Sequence, residues 1–172
     1  MLDRMIFATL LLFPGVALAQ TQKPNDAQIA HIAYTAGVID ITAANQALTK
    51  ATNPDVRTFA QEMARDHKAV NDKALALVKK LNVSPLDNPT SQALSNAAAA
   101  KQTNLSKLSG AAYDRAYVAN EVAYHRIVNG ALKDTLIPSA QNPELRSLLQ
   151  TGLALFQSHQ AHAEHLAMSV AK

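Results

Sequence analysis

The 172-residue sequence has no cysteine, no tryptophan and only five glycines. Without cysteine there can be no disulfide, thiolate metal site, cysteine nucleophile or lipid-bearing N-terminal cysteine. Aromatic residues make up only 5% of the chain while alanine is abundant, which is the composition of helices. Beyond the first twenty residues no run approaches the roughly 20 apolar residues that span a bilayer. No strand-like alternation suggests a barrel either, so the mature chain is expected to be soluble. Charge is also thin, at 17% of residues with a net +3. The lysines and arginines are scattered, with no basic stripe interleaved with aromatics, which argues against nucleic-acid binding. No serine elbow, phosphate loop or nucleotide fingerprint is present.

The N-terminal segment carries the first positive signal. Arg4 precedes an apolar run from Met5 to Phe13, Pro14-Gly15 breaks it, and Ala17-Leu18-Ala19 ends in the small-x-small pattern that signal peptidase cuts. Residues 1–19 are therefore expected to be a signal peptide cleaved after Ala19. Residues 20–172 form one domain in the periplasm, with peripheral association with the outer membrane left open.

Breakers divide that domain into helices near 26–50, 54–81, 91–108, 111–136 and 143–169. Asn25-Asp26 offers an N-cap, and Asn53-Pro54 and Asn142-Pro143 each combine a cap with proline at the first helical position. Pro85 and Pro89 make residues 82–90 irregular, and Ile137-Pro138 stops the fourth segment. Short loops join two helical hairpins, and the 82–109 stretch is long enough to travel the length of a bundle. The fold expected is all-α: a ferritin-like four-helix bundle with a short crossover helix. The alternative is a plain up-down bundle with a fifth helix at one end.

Polar residues interrupt the apolar seams of the four long helices. Asp40 falls among Ile29, Ala33, Ala36, Ala43 and Ala47, and His67 lies between Met63 and Val70. Glu121 and His125 fall between Val118 and Val128, and His159 and His162 between Leu155 and Leu166. Asp40, His67, His125 and His159 are each near mid-helix, and at 1.5 Å rise per residue they should share one level. Such a layer is costly unless its members satisfy one another or bind something. It is read either as a structural polar layer or as a metal site of Asp40, His67, Glu121, His125 and His159. Imidazole with carboxylate suits iron, manganese, copper or zinc. The Glu-x-x-His spacing of ferritin-like di-metal proteins is missing, because Ala64, Val122 and Phe156 precede the three histidines by three residues. His165 is expected to be solvated near a helix end, and Glu62, Arg65, Asp66 and Lys68 to cover the wet side of their helix. A support role for Asp66 beside a histidine ranks below that. Tyr113, Tyr117 and Tyr124 are expected to pack with their hydroxyls on polar partners.

The stretch Val56-Arg57-Thr58-Phe59-Ala60-Gln61-Glu62-Met63-Ala64-Arg65-Asp66-His67 resembles the V-x-x-F-A-x-x-M-x-x-D-H segment of the domain-of-unknown-function 4142 family. Tyr113-Asp114, Tyr117 and His125 are similar to its later F-D-x-x-Y … H segment, and His159 to its last-helix histidine. The resemblance implies an exported, ferritin-like bacterial bundle, in a family often labelled predicted outer-membrane proteins, and leaves activity open. The first reading of the function is a non-enzymatic envelope protein that binds an envelope partner or another copy of itself, or assists survival under stress. The alternative is a metal-binding or oxidoreductase-like protein using the mid-bundle layer.

Overall fold

The structure is a computed structural model that describes residues 23–171, so the expected signal peptide lies outside the described residues. Among these residues the chain is all-helical. The helices are α1 (Asp26–Lys50), α2 (Pro54–Lys80), α3 (Pro89–Ser106), α4 (Gly110–Ala131), α5 (Ile137–Ser139) and α6 (Pro143–Val170), with a π turn over Leu132–Leu136. No helix among them is long and apolar enough to cross a membrane.

Asparagine starts four of the helices. Asn25 and Gln28 exchange two 3.0 Å side-chain bonds to each other's backbone N–H, a reciprocal box that satisfies two otherwise orphaned donors. Asn53, Asn88 and Asn142 each accept from the first turn, and each is followed by proline, whose missing N–H costs nothing there. Asn88-Pro89 thus repeats the signal of the other two, and α3 begins at Pro89 rather than near residue 91. The end of α4 also differs from expectation. Pro138 cannot donate, and its ring would press on the carbonyl four residues back. The helix widens into the π turn, where Ile137 N–H reaches Leu132 O, and continues through Pro138 as α5.

Hydrogen bonds between elements fix the helix directions. At the start of α1, Leu86 N–H donates to Ala27 O at 3.0 Å. At its end, Lys50 Nζ donates to Ser106 O at 2.7 Å. Helix α3 therefore runs alongside α1 in the same direction and delivers the chain to the far end. Gly110, at φ +57°, turns it into α4. Helix α4 returns, and Gln141 and Asn142 N–H both donate to the Asp26 carboxylate at 2.8 Å. Helix α6 then climbs beside α2 and α4.

The hairpin turn after α1 is tied to α4 by buried Asp114, which accepts from Thr52 N–H (3.0 Å), Thr52 Oγ1 (2.7 Å) and Asn53 N–H (2.9 Å). Replacing it with alanine orphans those donors. Asp114→Ala is expected to cost about 1–3 kcal/mol in urea denaturation, and an unchanged midpoint would show that the turn does not need this anchor.

The apolar core is in two parts. One gathers Ala47, Val56, Phe59, Met63, Tyr113, Tyr117 and Leu166. The other gathers Ile29, Ile32, Val128, Leu132, Leu145, Leu149 and Phe156. On each long helix one or two buried polar residues fall between the two parts, and they form the layer described next.

Candidate metal centre

One or two polar residues from each long helix converge between the two halves of the core. Asp40 comes from α1, His67 from α2, Glu121 and His125 from α4, and His159 from α6; none is more than 2% exposed. All five residues singled out from the seams are brought together. The imidazoles of His67, His125 and His159 each place a nitrogen within 4.8 Å of the others, and Asp40, Glu121 and His125 form a second such set. Asp40 Oδ2 lies 3.4 Å from His67 Nε2 and 3.7 Å from His125 Nε2.

Which atoms are satisfied is more telling than the proximity. His125 Nδ1 donates to the Glu121 carbonyl at 3.0 Å, which leaves a lone pair on Nε2. His159 Nε2 donates to Asp66 Oδ2 at 3.1 Å, which leaves the lone pair on Nδ1. Those two free nitrogens, both nitrogens of His67, and both oxygens of Asp40 and of Glu121 have no hydrogen-bond partner. Each such buried atom costs about 1–3 kcal/mol. The rings are positioned by packing: His67 stacks on Phe156 at 4.4 Å and 6° and meets His125 edge-on at 5.6 Å.

Burial sets the charges. It drives the His67 pKa down to about 2 and His125 to about 4, and it lowers His159 as well. The three imidazoles are therefore neutral, as metal ligation requires. Burial raises Asp40 to about 7 and pushes Glu121 well above the usual carboxylate range, with Asp40 adding to the effect on Glu121. Tyr117, whose hydroxyl has no partner contrary to the sequence expectation, is raised by burial and by Glu121 and Asp40. Tyr113 and Tyr124 do find acceptors, on Gln46 Oε1 and Ala36 O.

These donors fit a transition-metal ion. Ligands about 2.0–2.2 Å from a tetrahedral ion lie roughly 3.3–3.6 Å apart, close to the two Asp40–histidine separations. Three imidazole nitrogens with one carboxylate favour zinc, copper or iron over magnesium or calcium. Glu121 sits beside Asp40 and can add a further carboxylate oxygen.

Other parts of the sequence reading shift. Asp66 is not on the wet side of α2: its side chain is 17% exposed. Arg65 holds it at 2.7 and 3.0 Å and, with His159, lowers its pKa. Asp66 thus faces His159 as a carboxylate that orients the imidazole. Asp66→Ala is expected to weaken metal affinity by about 10–100-fold in competition with a chromophoric chelator; unchanged affinity would put His159 outside the site. Phe156, which the seam reading passed over in favour of Leu155, closes the layer. His162 leaves the seam and its Nδ1–H donates to Glu62 Oε2 at 2.8 Å, and His165 is exposed.

Comparison with known proteins gives a family and a fold. A family model described as "Domain of unknown function (DUF4142)" matches residues 14–166, and the chain belongs to that family. No curated protein matches it. A crystal structure from Streptomyces coelicolor, described as a secreted protein DUF305, is similar with a TM-score of 0.70. The likeness covers 85% of this chain and 93% of that one at 12% identity, and it extends to the fold alone.

Proposed function

We propose that this chain is an exported, metal-binding bundle of ferritin-like design that holds a transition-metal ion at mid-height through His67, His125, His159 and Asp40, with Glu121 beside them. One observation carries the reading. Every side chain of the layer keeps at least one buried donor or acceptor free, and the arms that are satisfied are those that fix the free ones in place. A structural polar layer would close its own hydrogen bonds; this one leaves them open, with nitrogens of the three histidines within 4.8 Å of one another and Asp40 and Glu121 oxygens within the same distance of His125.

The ferritin-like part of the proposal is supported by helix direction: α1 and α2 form one hairpin, α4 and α6 another, and α3 carries the chain back along α1 between them. Export rests on the N-terminal pattern and on the secreted description of the Streptomyces relative. A periplasmic home follows if cleavage occurs after Ala19. The layer moves metal binding ahead of the partner-binding reading.

Elemental mass spectrometry of tag-free protein purified from the periplasm tests the proposal. About one zinc, copper, iron or manganese per chain is expected, falling to background in His67→Leu and His125→Leu. Wild-type protein that stays metal-free after incubation with each of these ions would overturn it.

A further inference from the structure

The geometry points to a second binding site, an apolar cavity for a small uncharged molecule such as a single aromatic ring or a short alkyl chain. The cavity, about 220 Å³, lies among α1, α2, α4 and α6 on the side of the polar layer nearer the start of α1. It exists because small residues line it. Ala33 and Ala36 from α1, Ala74 from α2 and Gly152 from α6 are too short to meet across the space. Leu132 and Leu149 close its floor from the π turn and α6.

Its chemistry selects the occupant. The lining includes no charged residue, and Asn71 and Thr90 are its only polar members. The Asn71 amide donates to Tyr34 O at 3.4 Å, and Thr90 sits at the exposed rim. A charged ligand would lose its hydration with nothing to replace it. An apolar cavity of about 150 Å³ is known to stay dry and take up benzene, so this one has room for a ring with a short substituent. Ile127, an apolar side chain that is 64% exposed, lines the cavity on its open side together with Leu94 of α3. An occupant can enter there without unfolding a long helix.

Phe156 joins the cavity to the polar layer. It forms part of the lining and stacks on His67, so a bound molecule lies one aromatic ring away from that histidine. Binding itself requires no metal, so this site and the metal centre can fail independently.

The test is methyl-detected NMR of metal-free protein titrated with toluene and, separately, with benzoate. Toluene is expected to give saturable shifts confined to cavity methyls such as Ala33, Leu132 and Leu149, with a thermal midpoint a few degrees higher; benzoate is expected to give none. Ala33→Leu fills the space and should abolish the shifts. Ala74→Val, a smaller change that keeps the fold if the first variant does not, should weaken them several-fold. No saturable shift in wild-type protein, equal shifts with benzoate, or full toluene binding in a folded filled variant would each overturn the proposal.

Discussion

Replacing His67 and Glu121 together by leucine is expected to abolish metal binding and to make the metal-free protein more stable by about 1–4 kcal/mol. Both side chains are buried and both leave every polar side-chain atom without a hydrogen bond. Leucine is close to each in volume, keeps an apolar face against Phe156 in place of the stacked imidazole, and removes the cost of those orphaned atoms. A layer kept for architecture would respond in the opposite way. Its removal would cost several kcal/mol, as breaking a satisfied buried network does. Urea denaturation of both proteins after exhaustive chelation separates the cases: a lower midpoint for the double variant would mean that the layer is part of the scaffold.

Adding metal to the wild-type protein should produce the second large effect. A ligand that binds only the folded state at a thousandfold excess over its dissociation constant stabilises by about 4 kcal/mol. In a domain near 150 residues that corresponds to roughly 8–16 °C in the thermal midpoint. The effect depends on pH with a definite sign. Asp40, raised to about 7 by burial, must lose its proton to ligate, so below pH 7 each unit of acidification is expected to weaken binding about tenfold. The metal-free protein shifts in a complementary way. Because the folded pKa of Asp40 lies above its unfolded value of 3.8, its contribution to stability is fully present below that value and is lost as pH rises through about 7. His67, His125 and His159 are lowered from 6.5, so their contribution is lost as pH falls below that value. The gain from metal should therefore be larger at pH 8 than at pH 6. Thermal melts with and without excess zinc at the two pH values measure it; equal gains would place binding away from Asp40.

Much of this was legible in the sequence. The Asn-Pro pairs mark helix starts because proline needs no partner for its missing N–H at the first position, and that chemistry is local. Asp40, His67, Glu121, His125 and His159 could be picked out because they fall on apolar seams at similar distances along their helices. What the sequence hides is helix rotation, where one position is about 100°. The inner face of α6 passes through Leu149 and Phe156, not Leu155, and the shift that brings Phe156 onto His67 takes His162 out of the core. Asp66, adjacent to His67, points elsewhere around α2, and it becomes a site residue only because α6 packs there and presents His159. The cavity was hidden for a related reason. Val70 continues the apolar stripe of α2 and reads as core, whereas it is only partly buried and, like Ala74, borders open space.

X-ray absorption spectroscopy of the metal-loaded protein addresses the centre most directly, because it reports the ligands as well as the presence of an ion. The expected spectrum shows a first shell of nitrogen and oxygen at about 2.0–2.1 Å and outer-shell scattering from three imidazole rings, reduced by one ring in His125→Leu. A bound ion with no imidazole scattering, or with a spectrum unchanged in that variant, would place the metal on the surface and contradict a centre built from His67, His125 and His159.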